Sequence, residues 1–252
     1  MKAIILAAGY ATRLYPLTQN RPKALLPIAN RTIMDYLFDE ISRIPRIDEA
    51  ILVSNHRFAD QFVAWAQTAQ VAYPKVRIRV LDDGTTGNEN RLGAIGDIDF
   101  AIRQAEIDDE LLVTVSDNLF TFHLTDFVAD YLHHGCDTLL AKPLNDVDAC
   151  RRFAIATLDD QRRVLSLVEK PEHPQSNLAV YGLYLYRRDT LPLIAQYLAE
   201  GNNPDSPGHF PEWLYQRREV RAYLFDGECI DIGTVEAYRA VCEEYKNRNC
   251  PA

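Results

Sequence analysis

Ala3-Ile4-Ile5-Leu6-Ala7-Ala8-Gly9-Tyr10-Ala11-Thr12-Arg13 opens the chain and decides its fold class. Ala3 to Ala7 is a short unbroken apolar run, the pattern of a strand buried on both faces of a parallel sheet. The residues after it are mostly small or polar. Gly9, with Ala7, Ala8 and Ala11, leaves room for backbone N–H groups to approach an anion, and Arg13 adds a guanidinium fork that suits phosphate. In open α/β sheets ligands gather at the carboxyl ends of strands, where this loop belongs. Taken alone, the same residues also describe a plain turn with surface cations. Neither G-x-x-x-x-G-K-[ST] nor G-x-G-x-x-G occurs here, which argues against a P-loop ATPase and a Rossmann dehydrogenase.

Outward from this loop, strands and helices alternate. Thr32 to Ile44 carries apolar residues at helical spacing, with Thr32 placed to cap it. Glu49 to Ser54 reads as a strand, Phe58 to Gln70 as a helix, and Val76 to Leu81 as a strand with one wetter face. Arg91 to Ala105 reads as a helix. Leu111 to Val115 is a buried strand that ends at Ser116-Asp117-Asn118. The alternation predicts an α/β fold with a mostly parallel, doubly wound sheet. After Gly135 the strand-like segments dominate: Asp137–Lys142, Phe153–Leu158, Val164–Glu169 and Ala179–Tyr186. They are expected to extend the same sheet with mixed strands and to form a lid over one end. A Pro/Asn/Gly-rich loop, Gly201 to Gly208, precedes a short helix expected at Glu212–Gln216. The tail after Lys246 is expected to fray.

The chain has 252 residues, 47% of them hydrophobic, and a formal net charge of -9. That acidity disfavours non-specific nucleic-acid or anionic-membrane binding. No stretch reaches the ~18 apolar residues of a membrane span. Five scattered cysteines, with no C-x-x-C pair, read as reduced thiols, and the expected setting is the cytoplasm.

The strings LAAGYATRLYPLT and RPKALLPIANRTIMDYLFDEI together resemble the signature of the sugar-phosphate nucleotidyltransferases, notably the glucose-1-phosphate thymidylyltransferase branch. Relatives often carry glycine where Ala11 stands; alanine is the smallest replacement, so the loop should still close on phosphate. The resemblance continues through Val115–Phe120, Arg152–Ala156, Val168–Pro171, Ser176–Tyr184 and Glu228–Thr234. It implies a Rossmann-like, three-layer α/β/α nucleotidyltransferase domain over 1–252. Residues 1–130 would bind nucleotide; 131–245 would bind the acceptor and supply a closing helix. No C-terminal β-helix domain is expected.

The implied reaction joins a nucleoside triphosphate (UTP, dTTP or CTP) to a phosphorylated acceptor, a sugar 1-phosphate first of all, and releases pyrophosphate. Arg13, Lys23 and Asp117 are the implied catalytic residues. Asp117 and Asp231 would hold Mg²⁺. Leu6, Ala7, Ala8, Gly9, Asn88 and Gly93 would hold nucleotide. Phe153, Ala154, Glu169, Lys170, Asn177 and Gly182 would face the acceptor. Read singly, Asp117 also fits a turn cap, Asp231 a cap on the last helix, and Glu169-Lys170-Pro171 an exposed turn. A cytidylyltransferase acting on a non-sugar phosphate or phosphonate, a non-catalytic sugar-nucleotide sensor, and a homo-oligomer all remain open at this point.

Overall fold

The computed structural model describes residues 1–248. In chain order its first half holds β1 (Lys2–Leu6), β2 (Pro27–Ile28), β3 (Arg31–Thr32), α1 (Ile33–Ser42), β4 (Glu49–Ser54), α2 (Ala59–Ala72), β5 (Arg77–Asp82), α3 (Ala94–Ala105), β6 (Leu111–Val115), β7 (Asn118–Phe120) and α4 (Leu124–His134). The second half holds β8 (Asp137–Pro143), α5 (Val147–Cys150), β9 (Ala154–Leu158), β10 (Val164–Glu169), β11 (Leu178–Tyr186), α6 (Leu191–Ala199), α7 (His209–Leu214), β12 (Val220–Leu224), β13 (Cys229–Asp231) and α8 (Val235–Arg248). The rest of the tail, with Cys250, lies outside the described residues.

One nine-stranded sheet runs through both halves. β1 is flanked by parallel β4 and β6, and β5 continues beyond β4. β11 joins the halves: Leu183–Tyr186 pair antiparallel with β6, and Leu178–Val180 pair with β9. Its other edge pairs with β8, which is followed by parallel β12. Only β11 and β10 run against the common direction, so the sheet is mixed and mostly parallel, as expected.

Period-two alternation along β11 builds a core on each face. Ala179, Tyr181, Leu183 and Leu185 pack with Phe38 of α1, Phe62 of α2 and Phe127 of α4. Val180, Tyr184 and Tyr186 pack with Ile98 of α3, Ile194 of α6 and Phe210 of α7. The result is helix on sheet on helix. A third cluster, including Leu14, Leu26, Ile28, Ile232, Val241 and Tyr245, fastens α8 onto the loops that follow β1.

Local sequence explains several boundaries. Thr32 Oγ1 accepts the Asp35 N–H and Asp35 accepts the Thr32 N–H, a reciprocal capping box that starts α1. The helix expected from Arg91 begins only at Ala94, because Gly93 takes a φ of +81°. The short helix expected at Glu212–Gln216 lies earlier, at His209–Leu214. Pro211 sits in its first turn, where a missing N–H costs nothing.

Candidate active site

From β1 the chain winds to β4 and β5 on one side, then returns to β6 on the other. The loops after β1 and β6 therefore part at a switch point, the usual crevice of an open α/β sheet. A cavity of about 410 Å³ opens there, lined by Leu6, Ala7, Gly9, Arg13, Lys23, Asn88, Arg91, Asp117 and Asp231 among others. A second hollow, about 380 Å³, lies beside β10. Its arginines are already paired, Arg163 with Asp159, Arg217 with Glu200 and Arg218 with Asp189.

The first loop starts as an extension of the sheet. The Ala7 N–H donates to Val53 O at 2.9 Å, and the Ala8 carbonyl accepts from Asn55 Nδ2 at 2.8 Å. The Ala7 N–H is thus committed to the sheet and not open to an anion, while Ala7 itself lines the cavity. Beyond it, the N–H groups of Ala8, Gly9 and Tyr10 have no partner among the described residues. A Cβ on Gly9 would meet nothing within 4 Å, so its value is open access. The strained position is Ala11, at φ 46° and ψ 45°. This left-handed conformation explains why glycine suits that place, and alanine holds it at a cost of roughly 1 kcal/mol. Arg13 sits on the next short 3₁₀ turn, exposed and without an ion pair among the described residues.

Two carboxylates from distant parts of the chain meet at the cavity. Asp117 leaves the end of β6, and Asp231 ends β13. β7 and β13 pair as a ribbon in which Asp231 faces Asn118. Between the carboxylates stands Lys23, on a 3₁₀ turn behind Pro22; its Nζ lies 2.5 Å from Asp117 Oδ2 and 3.5 Å from Asp231 Oδ1. Desolvation by the site walls, and then the charge of Asp117, push the Asp231 carboxyl above its ordinary value, while Lys23 and Arg13 pull it down. The capping alternatives fail in detail. Thr234, not Asp231, caps α8, accepting the Ala237 N–H at 3.2 Å, and the Asp117 side chain bonds to Lys23.

The residues expected to face the acceptor form a separate group and do not line this cavity. Glu169 is largely buried, 3.2 Å from Lys170 Nζ, and a Cβ on Gly208 would come within 2.0 Å of Glu169 Oε2 and 3.3 Å of Ala154. The pair is therefore no simple exposed turn. Lys170 takes a φ of 47°, and its N–H donates to Phe153 O at 3.1 Å. Three expected site residues make contacts within the framework. The Asn177 amide donates to Leu144 O at 2.8 Å and fastens a loop. Gly182 lets β11 pass β6, since a Cβ there would lie 2.9 Å from Val115 Cγ2. Gly93 stays outside the cavity, because a Cβ there would lie 2.6 Å from Pro204 O.

Residues 2–248 match the family model described as Nucleotidyl transferase. The chain belongs to this family. A glucose-1-phosphate thymidylyltransferase of Streptomyces griseus is 29% identical over 259 residues, covering 98% of this chain and 68% of that protein. A UTP–glucose-1-phosphate uridylyltransferase of Synechocystis is 27% identical over 248 residues, covering 94% of this chain and 61% of that protein. The bifunctional protein GlmU of Methanocaldococcus jannaschii is 27% identical over 235 residues, covering 92% of this chain and 51% of that protein. The chain spans from about half to about two thirds of the length of these curated relatives. Among solved structures, UDP-glucose pyrophosphorylase complexed with UDP-glucose has a TM-score of 0.82 at 19% identity, covering 98% of this chain and 99% of that one. The nucleotidyl transferase fold is thus shared over 98% of the chain.

Sequence reasoning missed three features in and around this cavity. Asn55 braces the loop through Ala8, and its own Oδ1 accepts the Phe58 N–H at 3.1 Å. Tyr10 lines the cavity, but its hydroxyl is buried without a partner among the described residues. Asp83 and Asp97 form a buried acid pair: Asp83 Oδ2 and Asp97 Oδ1 lack partners, and burial, then Asp83, pushes Asp97 up to about 8. A single proton held between them would satisfy both atoms. The signal was present, since Asp97 occupies an apolar-face position of α3 beside Ile98 and Ala101. No helix among the described residues is long and apolar enough to cross a membrane.

Proposed function

We propose that this chain joins a nucleoside triphosphate to a sugar 1-phosphate, giving an NDP-sugar and pyrophosphate, with Mg²⁺ held by Asp117 and Asp231. One observation carries this reading: carboxylates from the ends of β6 and β13 converge on a single cation, Lys23 Nζ, in the cavity lined by the loop after β1. Two hard oxygen donors suit Mg²⁺, which keeps water and phosphate ligands besides, and no third His, Cys, Asp or Glu joins them among the described residues. The thymidylyl- and uridylyltransferase relatives support the reaction class.

The chemistry asks for charge neutralisation more than for proton transfer. A sugar-phosphate oxygen is already anionic at neutral pH, so no general base is needed, but two anions must be brought together. Bound Mg²⁺ would supply a shared positive charge to phosphate oxygens of both substrates. Arg13, free of any ion pair among the described residues, would meet the β- and γ-phosphates. Lys23 would sit beside the α-phosphate, and the open N–H groups of Ala8 to Tyr10 would receive phosphate oxygens. Lys170 would hold the acceptor phosphate and Glu169 the sugar hydroxyls. The free thiols Cys136, Cys150, Cys229 and Cys242 support a reducing, cytoplasmic setting.

Pyrophosphate release should be followed with Mg²⁺, a panel of nucleoside triphosphates, and a panel of sugar 1-phosphates, phosphocholine and phosphonates. Release with at least one pair is expected. No release with any pair, where the Synechocystis relative works alongside, would sink the reading. Asp117→Ala and Asp231→Ala should each abolish release while far-ultraviolet circular dichroism is kept.

A further inference from the structure

The loop between α6 and α7 touches both the cavity and the acceptor cluster. At one end it covers the start of α3: the carbonyls of Asp205 and Pro204 accept the Ala94 and Ile95 N–H groups at 3.2 and 2.9 Å. Gly93 is required there, because Pro204 O fills the space a side chain would take. These two amides at the head of α3 are therefore closed to phosphate. The Asp205 carboxylate also holds Arg91 Nη2 at 2.8 Å, and Arg91 lines the cavity. One residue later, Ser206 Oγ accepts from Lys170 Nζ at 3.0 Å. The loop is itself braced, with Asn203 Oδ1 accepting the Asp205 N–H at 3.0 Å and Asn203 O accepting the Tyr197 hydroxyl at 2.6 Å.

We propose that Asp205 and Ser206 are positioning residues that link the two substrate sites, Asp205 by fixing Arg91 in the nucleotide cavity wall and Ser206 by fixing Lys170 toward the acceptor phosphate. Adjacent residues on a braced loop transmit displacement, so a change at Arg91 is felt at Lys170. Lys170 needs such an anchor, since its backbone is in the left-handed region and its ammonium is half exposed. The link rests on the transferase function proposed for the chain.

The test compares wild type, Asp205→Asn, Ser206→Ala, the double variant and Ser206→Thr, with KM for each substrate, kcat and equilibrium nucleotide binding. The contacts are exposed, so each KM that a single variant moves should shift by about three- to fivefold. Ser206→Ala should raise the acceptor KM with kcat kept, and Ser206→Thr should restore it. Asp205→Asn should weaken nucleotide binding and also raise the acceptor KM. The double variant should then lose less than the product of the single losses. An active wild type whose variants keep both KM values, change kcat alone, or lose strictly multiplicatively would overturn the link. A wild type that releases no pyrophosphate would remove the link together with the function beneath it, a result distinct from an active enzyme with indifferent variants.

Discussion

Replacing Asp97 with asparagine should stabilise the protein, and more so as pH rises. The Asp97 carboxyl lies in the first turns of α3 at 6% exposure, against Asp83. Burial first, and then the Asp83 charge, raise its pKa from the ordinary 3.8 to about 8. An unfolded chain releases this proton as pH passes about 4, whereas the folded chain keeps it until about 8. The folded state therefore binds more protons throughout that window. Stability falls as pH climbs from about 4 to about 8 and then levels off. At 1.36 kcal/mol per pH unit, the loss at pH 7 is about 4 kcal/mol at most, and relaxation with water entry reduces it to about 2–3 kcal/mol. The asparagine amide needs no proton and donates to Asp83 Oδ2, so Asp97→Asn recovers this amount. Denaturant unfolding between pH 5 and 8.5 measures it: the curves should lie within about 1 kcal/mol at pH 5 and separate by about 3–4 kcal/mol at pH 8. Asp83→Asn should act in the same direction but by less, because burial, the larger cause, still raises Asp97. Parallel pH profiles, or an Asp97→Asn variant less stable than wild type at pH 8, would refute the reasoning.

Three further substitutions probe other parts of the structure. Lys23→Met leaves Asp117 and Asp231 facing each other without a cation; without Mg²⁺ it should lose about 1–2 kcal/mol, read by thermal unfolding. Added Mg²⁺ should restore that stability, yet turnover should stay down by about a hundredfold or more, since the ammonium beside the α-phosphate is gone. Gly182→Ala drives a Cβ toward Val115 Cγ2 and should cost about 1–3 kcal/mol in denaturant unfolding. Ala11→Gly removes a left-handed alanine, so stability should hold or rise by up to about 1 kcal/mol; a loss larger than that would show that the strain assigned to Ala11 is absent.

Much of the fold was legible because its strands are short and strongly apolar. Glu49–Ser54, Leu111–Val115 and Val164–Glu169 are strands with the bounds their patterns predict. The missed elements carry weaker signals. β7 and β13 have three residues each and exist only because they pair with each other, a contact no local pattern encodes. β12 was overlooked because it completes the sheet beside β8 from far along the chain. In the site, Arg13, Lys23, Asp117 and Asp231 could be picked out by type and order, and all four line one cavity. Gly93 and Gly182 admit a loop carbonyl and a neighbouring strand's side chain, and in sequence such a glycine looks like one that admits a phosphate.

Lys23 has work to do before any substrate arrives. Two carboxylates on separate elements repel, and nothing in the β7–β13 register alone would hold their tips together. The ammonium offsets that repulsion: at 2.5 and 3.5 Å it answers both charges, and Pro22 on one side and Pro27 on the other restrict the segment that carries it. Cation and anions thus preorganise one another, and α8 locks the arrangement by packing Val241 and Tyr245 against Leu14, Leu26 and Ile28 of the same loops. In the proposed reaction the lysine that answers the α-phosphate is also the one that keeps the metal ligands in register. Its removal should therefore separate stability from turnover: Mg²⁺ can take its place between the carboxylates, but not its place at the phosphate.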